Sequence, residues 1–557
     1  VDPSDGGGHS ESPESQKLGS VSDAVFGMAN EVARMLQKEY PGKMVGLLAY
    51  NFHAVPPSFP LEPNVYVQLP TAFVQGKYSL DDLIDLWPKE AKNFGFYDYY
   101  SVWLWHHDML PGGTAANVPA LAAKIKAWAT LGVSSISAES GNDWGLSGRG
   151  YYIAAQLMWN PNADVAALSK DFYEKAFDAG APAMQRYYEL VEGANKARLS
   201  RNTYALALRD VEEAGKLAAN DEGATRRIDD IKQYLRYINL NWEWDRVNTP
   251  DTYNKSTPAK EVAWNARVEQ TYRERFSYMT HFAAQLANGY ANWDEIKAHP
   301  ELFPDKPFTK TERDAQWQEM LETYQPLEVH EKDFSRDLVA VDFPIQAGAE
   351  TTQHFAGRAG FWFATNGKPL QYTIKTDVLD NFQNRPDARW TLADSTGKTI
   401  KQGRMQLDGQ SQKFSFDIPV GTYSLDFDGQ QGSWTLLADK STSVSPMLLK
   451  QWPRTQEGGQ DMYFYVPKGT KQIELSWPGA PLQPMDSNSD VAKLLNSNDD
   501  FYVYEVPSGS DGGLWALSNF SLGQLWFYNV PNYLAASTQA LLVPREVAET
   551  DGLKIRK

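Results

Sequence analysis

Along the first 160 residues the apolar positions switch repeatedly between a helical spacing and short unbroken runs. A helix is predicted from Val21, with Ser20 and Asp23 as its N-terminal capping pair and Val21, Val25, Met28, Val32 and Leu36 as its apolar stripe. Gly42 ends it, and Met44 to Tyr50 (MVGLLAY) then reads as a buried strand. Val65 to Leu69 is the next strand, followed by a helix from Ser79, and Phe96 to Trp103 (FYDYYSVW) is a strand again. A further helix around Ala120–Leu131 stops at Gly132, a residue suited to a left-handed cap, and Val133 to Ser140 closes the series. Before it all, Val1 to Asp5 reads as a strand end running into the loop Gly6-Gly7-Gly8. Alternation at this spacing predicts a parallel sheet with crossover helices. That sheet is either a small open α/β sheet or strands four to eight of a (β/α)8 TIM-like barrel. Polar residues gather at the strand C-termini (Asp2, Asp5, Tyr50, His53, Gln68, Asp98, Tyr100, Glu139), where barrel chemistry sits, and this favours the barrel.

Residues 150 to about 295 carry helical periodicity throughout. One stripe is Ile228, Ile231, Leu235, Ile238 and Trp242, and a later one is Trp264, Val268, Phe276, Met279 and Leu286. A charged, proline-punctuated stretch (Pro300, Pro304, Pro307, Pro326) marks a boundary. From about residue 338 the period becomes two, as in Leu370–Thr376 (LQYTIKT), and a valine- or isoleucine-proline-x-glycine phrase recurs at 418–421, 466–469 and 506–509. Short strands with such turns predict two antiparallel β-sandwiches divided near 444–451. The expected organisation is therefore α/β, then all-α, then all-β. It runs as a partial barrel over 1–149, a helical domain with linker over 150–335, and sandwiches over 336–445 and 446–557.

The 557 residues hold a formal net charge of −17, which argues against nucleic acid and acidic lipid as partners. Mean hydropathy is −0.50 and no unbroken apolar run of about 18 residues occurs, so no membrane-spanning helix is expected. With Cys 0, disulfides, thiolate catalysis and cysteine-ligated metals are excluded together. The eight histidines show no HxxxH or HExxH spacing, and neither a phosphate loop, a dinucleotide fingerprint nor GxSxG is present. No metal and no cofactor is expected. Trp 18, Tyr 28 and Phe 25 point either to glycan stacking or to large aromatic cores.

Glycosidic cleavage needs a proton donor and a second group that attacks or stabilises the anomeric carbon, usually Asp or Glu. Glu139 is the first candidate, since it ends an apolar strand and precedes a loop that carries Trp144; its alternative role is to pair with Arg149. Asp2 and Asp5 read as paired catalytic carboxylates, as calcium ligands, or as residues of Asx turns. Tyr50, His53, Tyr97, Asp98, Tyr99, Tyr100, Trp103 and Trp105 form either a sugar-binding wall or packing between domains. Trp362, Trp390, Trp434, Trp477 and Trp515 are either binding platforms or core.

The runs VDPSDGGGHSESPES, KMVGLLAYNFHAVPPSFPLEPNVYVQLP, FGFYDYY, GVSSISAES and YYIAAQLMWNPNADVAALSKDFYEKAF resemble domain-of-unknown-function family 4838 over roughly residues 1–190. That family includes glycoside hydrolase family 163, endo-β-N-acetylglucosaminidases acting on complex N-glycans. The resemblance implies a barrel, a retaining mechanism and assistance from the substrate's own acetamido group. Family members carry an additional domain and early barrel strands, and cysteines where this chain has His9 to Ser15. The resulting expectation is a secreted, periplasmic or cell-surface glycoside hydrolase, with glycan or polysaccharide as partner and a separate upstream segment or other subunits completing the barrel. The alternative is a non-catalytic surface or matrix protein that binds glycan through the same scaffold.

Overall fold

A computed structural model describes residues 9–74, 78–192, 200–248, 251–275, 277, 279–281, 293–344, 352–365, 367, 369–377, 387–438, 443–448, 460–477, 481–498, 500–520 and 525–556. The chain divides into two compact units, one of Val1–Leu199 with Thr203–Pro326, the other of Ser200–Asn202 with Leu327–Lys557.

In the first unit, helix α1 (Val21–Glu39) opens with the expected capping box: the Asp23 amide donates to Ser20 Oγ at 3.0 Å, and the Ser20 amide donates to Asp23 Oδ2 at 2.9 Å. Its buried stripe is not the valine–methionine series. Phe26, Ala29 and Ala33 face the core, Val25, Val32 and Leu36 flank it, and Met28 is exposed. Two alanines let the helix axis approach the sheet, and a stripe of larger side chains would hold it away. Strands β1 (Val45–Leu48), β2 (Val65–Pro70), β3 (Asn93–Tyr99) and β4 (Ser135–Glu139) form a parallel sheet in that order. Helices α2 (Leu80–Glu90) and α3 (Trp103–His106) flank β3 in sequence, and α4 (Val118–Thr130) precedes β4. The sheet is thus that of an α/β domain; the strand expected at Val1–Asp5 falls outside the described residues. Strand β3 ends at Tyr99, so Trp103 lies on a helical turn instead of a strand.

A helical region follows, including α5 (Trp144–Trp159), α6 (Val165–Phe177), α7 (Ala181–Val191), α8 (Arg201–Leu217), α9 (Glu222–Val247), α10 (Pro258–Glu274) and α11 (Lys310–Thr323). The stripe Ile228, Ile231, Leu235 and Ile238 is buried in one core with Tyr187, Tyr204 and Trp317, and Trp242 packs against it. Of the later stripe, Val268 is buried, while Phe276 and Leu286 lie outside the described residues. No described helix is long and apolar enough to cross a membrane.

The second unit is antiparallel β. Thr352–Thr365 and Gly421–Ala438 pair at the centre of a seven-stranded sheet, and smaller sheets hold Gln460–Val466 and Phe501–Glu505. Leu370–Thr376 alternates buried and less buried positions as its sequence does. Gly469 and Gly509 take left-handed φ of +80° and +89°, which explains glycine in those two turns; Gly421 simply opens a strand. The residues expected to form two sandwiches fall in one compact unit, and a single core continues across 444–451 from Val339 to Ala548.

Candidate functional site

Side chains alternate faces along a strand. On one face of the parallel sheet, Val65, Val67, Leu69, Phe94 and Phe96 are buried in a common core with the Phe26 face of α1. The parallel register puts Tyr66, Gln68, Tyr97, Ser135, Ser137 and Glu139 on the other face. That face is polar and bonded across strands: Gln68 Nε2 donates to Ser137 Oγ at 2.9 Å, the Tyr66 and Ser135 hydroxyls share a hydrogen bond, and Tyr97 OH donates to Glu139 Oε1 at 3.1 Å. Glu139 is exposed.

At the C-terminal ends of the strands the aromatic rings form a continuous row. Tyr50 meets Phe73 at a centroid distance of 6.2 Å, Phe73 meets Trp105 at 5.9 Å and Tyr99 at 5.8 Å, and Trp105 meets Tyr99 at 5.0 Å. Tyr99 then meets Tyr97 at 5.5 Å, and Tyr97 carries the bond to Glu139. Phe73 and Trp105 are 52% and 51% exposed, while Tyr99, which joins them to Tyr97, is buried. Phe73 sits at φ +57°, a strained conformation for a bulky residue and of the kind that clusters at binding sites. Trp144, 49% exposed, packs edge-on against Tyr151 on the loop and helix beyond Glu139. A cavity of ≈ 470 Å³ lies at the β1 end of the row, lined by Glu11, Tyr50, Asn51 and Phe52 among others.

A second constellation lies buried beyond β3 and β4. His107 and Asp108 adopt successive left-handed conformations, φ +51° and +53°, a bend that non-glycine residues keep only when it is held. It is held from α9: Tyr237 OH donates to the His107 carbonyl at 2.8 Å and Tyr234 OH to the Asp108 carbonyl at 2.9 Å. The bend turns Asp108 onto His281, whose Nδ1 lies 2.5 Å from Asp108 Oδ1, and His281 Nε2 lies 3.5 Å from Asp143 Oδ1. Asp143 also accepts from Ser101 Oγ at 2.5 Å, Ser147 Oγ at 2.7 Å and Tyr151 OH at 2.6 Å, while Ser101 Oγ is 3.2 Å from His106 Nε2. The two imidazoles diverge. Burial outweighs the carboxylates at His106 and lowers its pKa; at His281 burial also opposes the charged form, but the Asp108 contact and the Asp143 charge prevail and raise it.

The structure thus sorts the residues singled out from sequence. Tyr50, Trp144 and Glu139 are at the open rim. Asp98 lies on the covered face, buried, with Lys124 Nζ at 2.5 Å and the Thr71 hydroxyl donating at 2.6 Å. His53 packs on Phe26, Tyr100 and Trp103 are buried, and burial with the Asp98 charge pushes the Tyr100 hydroxyl pKa up. Arg149 pairs with Glu192 at 2.8 Å rather than with Glu139. Asp2 and Asp5 lie outside the described residues. Phe73 and the His106–Asp108–Asp143–His281 set were not found from sequence. Strand parity carries part of the missed signal, since in Phe96-Tyr97-Asp98-Tyr99 the two tyrosines must share a face that Asp98 does not.

Residues 9–189 match the family described as Domain of unknown function (DUF4838). No curated protein matches the chain. Among solved structures it is similar to dimeric latent PorU from Porphyromonas gingivalis, at 13% identity over 37% of this chain and 21% of that one, with a TM-score of 0.08. It is also similar to the IMPa metallopeptidase in complex with T-antigen, at 11% identity over 76% of this chain and 46% of that one, with a TM-score of 0.11. The chain thus spans less than half the length of either protein.

Proposed function

We propose that the chain is a glycoside hydrolase acting on N-acetylhexosamine-containing glycan, secreted, periplasmic or at the cell surface, with its parallel sheet as part of a (β/α)8 barrel. The observation that carries this reading is the aromatic row from Tyr50 to Tyr97 that ends on the exposed carboxylate of Glu139. Exposed ring faces suit the apolar C–H faces of sugars, and a carboxyl at the end of such a row suits a proton donor to the glycosidic oxygen. Tyr97 holds one carboxyl oxygen, leaving the other for the leaving group. The family resemblance supplies the N-acetylhexosamine class and a retaining mechanism assisted by the substrate's acetamido group.

Glu139→Gln keeps shape and removes the ionisable proton, so turnover of an N-acetylglucosamine oligosaccharide or complex N-glycan should fall at least ~100-fold while binding persists. Wild-type turnover in this variant would remove Glu139 from the chemistry. A second reading, glycan binding without cleavage, is favoured by one observation: Glu139 is the one carboxylate on the open sheet face among the described residues, since Asp98 is committed to Lys124 on the other. Binding without any turnover by the wild type would select it.

A further inference from the structure

The buried cluster beyond the rim gathers donors close enough to hold a metal ion once His106 Nδ1, which accepts the Asp108 amide N–H at 3.0 Å, gives up that bond. His106, Asp108 and Asp143 each offer one donor atom within 4.8 Å of the other two. Ligands held about 2.1 Å from one ion stand about 3.4 Å apart in a tetrahedron and about 3.0 Å apart at neighbouring positions of an octahedron, so shifts of up to about 0.8–1 Å per donor close the set. The chain makes room for the imidazoles here. A Cβ on Gly141 would lie 1.8 Å from His281 Nε2, and one on Gly113 would lie 3.1 Å from His106 Cδ2. Both aspartate side chains are fully buried, and among the described residues no lysine or arginine pairs with Asp143. His281 lies against both aspartates and answers one of their charges, which leaves the other, out of water, for a cation.

We propose that His106, Asp108 and Asp143 bind one divalent first-row metal ion, with His281 as the positioning residue that orients Asp108. Imidazole with carboxylate suits zinc, manganese or iron, whereas calcium asks for six to eight oxygens. Nothing in this depends on whether the rim cleaves glycan.

The test uses tag-free full-length protein, stripped with chelator and titrated calorimetrically with Zn²⁺, Mn²⁺ and Ca²⁺ in separate runs. One equivalent of Zn²⁺ or Mn²⁺ should bind and raise the melting temperature. His106→Gln and Asp143→Asn should weaken that binding by more than the ~10–100-fold typical of losing an outer partner, and His281→Gln by an amount within that range. His299→Gln, at an exposed histidine, should leave it unchanged. If Asp143→Asn fails to fold, His106→Gln decides, because it leaves the three hydroxyl bonds to Asp143 in place. Failure to bind a stoichiometric ion, preference for Ca²⁺, or binding indifferent to His106→Gln would overturn the proposal.

Discussion

The rings at the rim of the parallel sheet and those of the C-terminal β unit are the same side chains put to opposite uses. Trp434 and Trp515 are 0% and 1% exposed, wedged among Phe355, Phe361, Phe427 and Phe464, whereas Phe73, Trp105 and Trp144 hold about half of their surface in water. Trp362, Trp390 and Trp477 likewise pack against the cores of that unit. Aromatic abundance alone therefore says nothing about sugar. The proposed sugar contact rests instead on the exposed rings of Phe73, Trp105 and Trp144, and covered and open residues should then answer perturbation differently, the first in stability and the second in binding.

The largest expected effect is on the covered side. Trp434→Ala should destabilise the C-terminal unit by about 3–5 kcal/mol in urea unfolding, from lost burial plus the cavity it leaves. Glycan binding at the rim should not change at temperatures where the variant stays folded. A loss below about 1 kcal/mol would break the distinction. Next comes Lys124→Met, which strands the Asp98 charge on the covered face. Breaking a fully buried pair costs about 3–5 kcal/mol, and the partial exposure of Lys124 with the surviving Thr71 bond brings the expected loss to about 2–3 kcal/mol. Sugar affinity measured on the folded variant should stay at the wild-type value; a drop would return Asp98 to the binding site.

A smaller effect is expected from pH. Burial, the dominant cause, raises Asp230 on α9 to about 6 against the opposing charges of Arg313 and Arg226. A carboxyl bound more tightly to its proton when folded contributes stability that is whole below its unfolded value, near 4, and fades as pH climbs through 6. Relative to Asp230→Asn, wild-type stability should therefore decline by about 1–2 kcal/mol between pH 4 and pH 7, read from paired urea curves. Parallel curves would show that Asp230 is not held as described. Smallest in stability is the open-side change: Trp105→Ala, which loses the Phe73 and Tyr99 contacts of a half-exposed ring, should cost about 1 kcal/mol, yet weaken oligosaccharide binding about tenfold, or about 1.4 kcal/mol. Large destabilisation with unchanged affinity would make Trp105 a core residue.

Much of the first unit is readable in its sequence because local rules decide it. Ser20 and Asp23 start α1, Gly132 ends the helix before β4 at φ +73°, and apolar runs become β1 to β3. Reading goes astray where a contact from far along the chain decides. Strand parity puts Asp98 and Tyr99 on opposite faces, but which face is covered depends on distant partners, Lys124 beside Asp98 and Trp105 beside Tyr99. The buried cluster joins His281 to residues more than 130 positions earlier, through a bend held by two tyrosines of α9, and no spacing pattern spans such a gap. Period-two patterning likewise does not register the pairing of Leu338–Ala340 with Leu542–Pro544, a closure between chain-distant strands.

Among the described residues, strand β4 is the last strand of its sheet and carries small, polar side chains, with Glu139 as its only charged residue. Charges on edge strands keep sheets from templating one another. Wherever β4 is left unpaired, the carboxylate proposed to handle a sugar would also keep that edge from templating a second sheet. Glu139→Gln should sediment as a monomer at micromolar concentration only if Ser135 and Ser137 suffice for that task. Concentration-dependent self-association in this variant, absent from Trp105→Ala, would reveal the second duty of the same side chain.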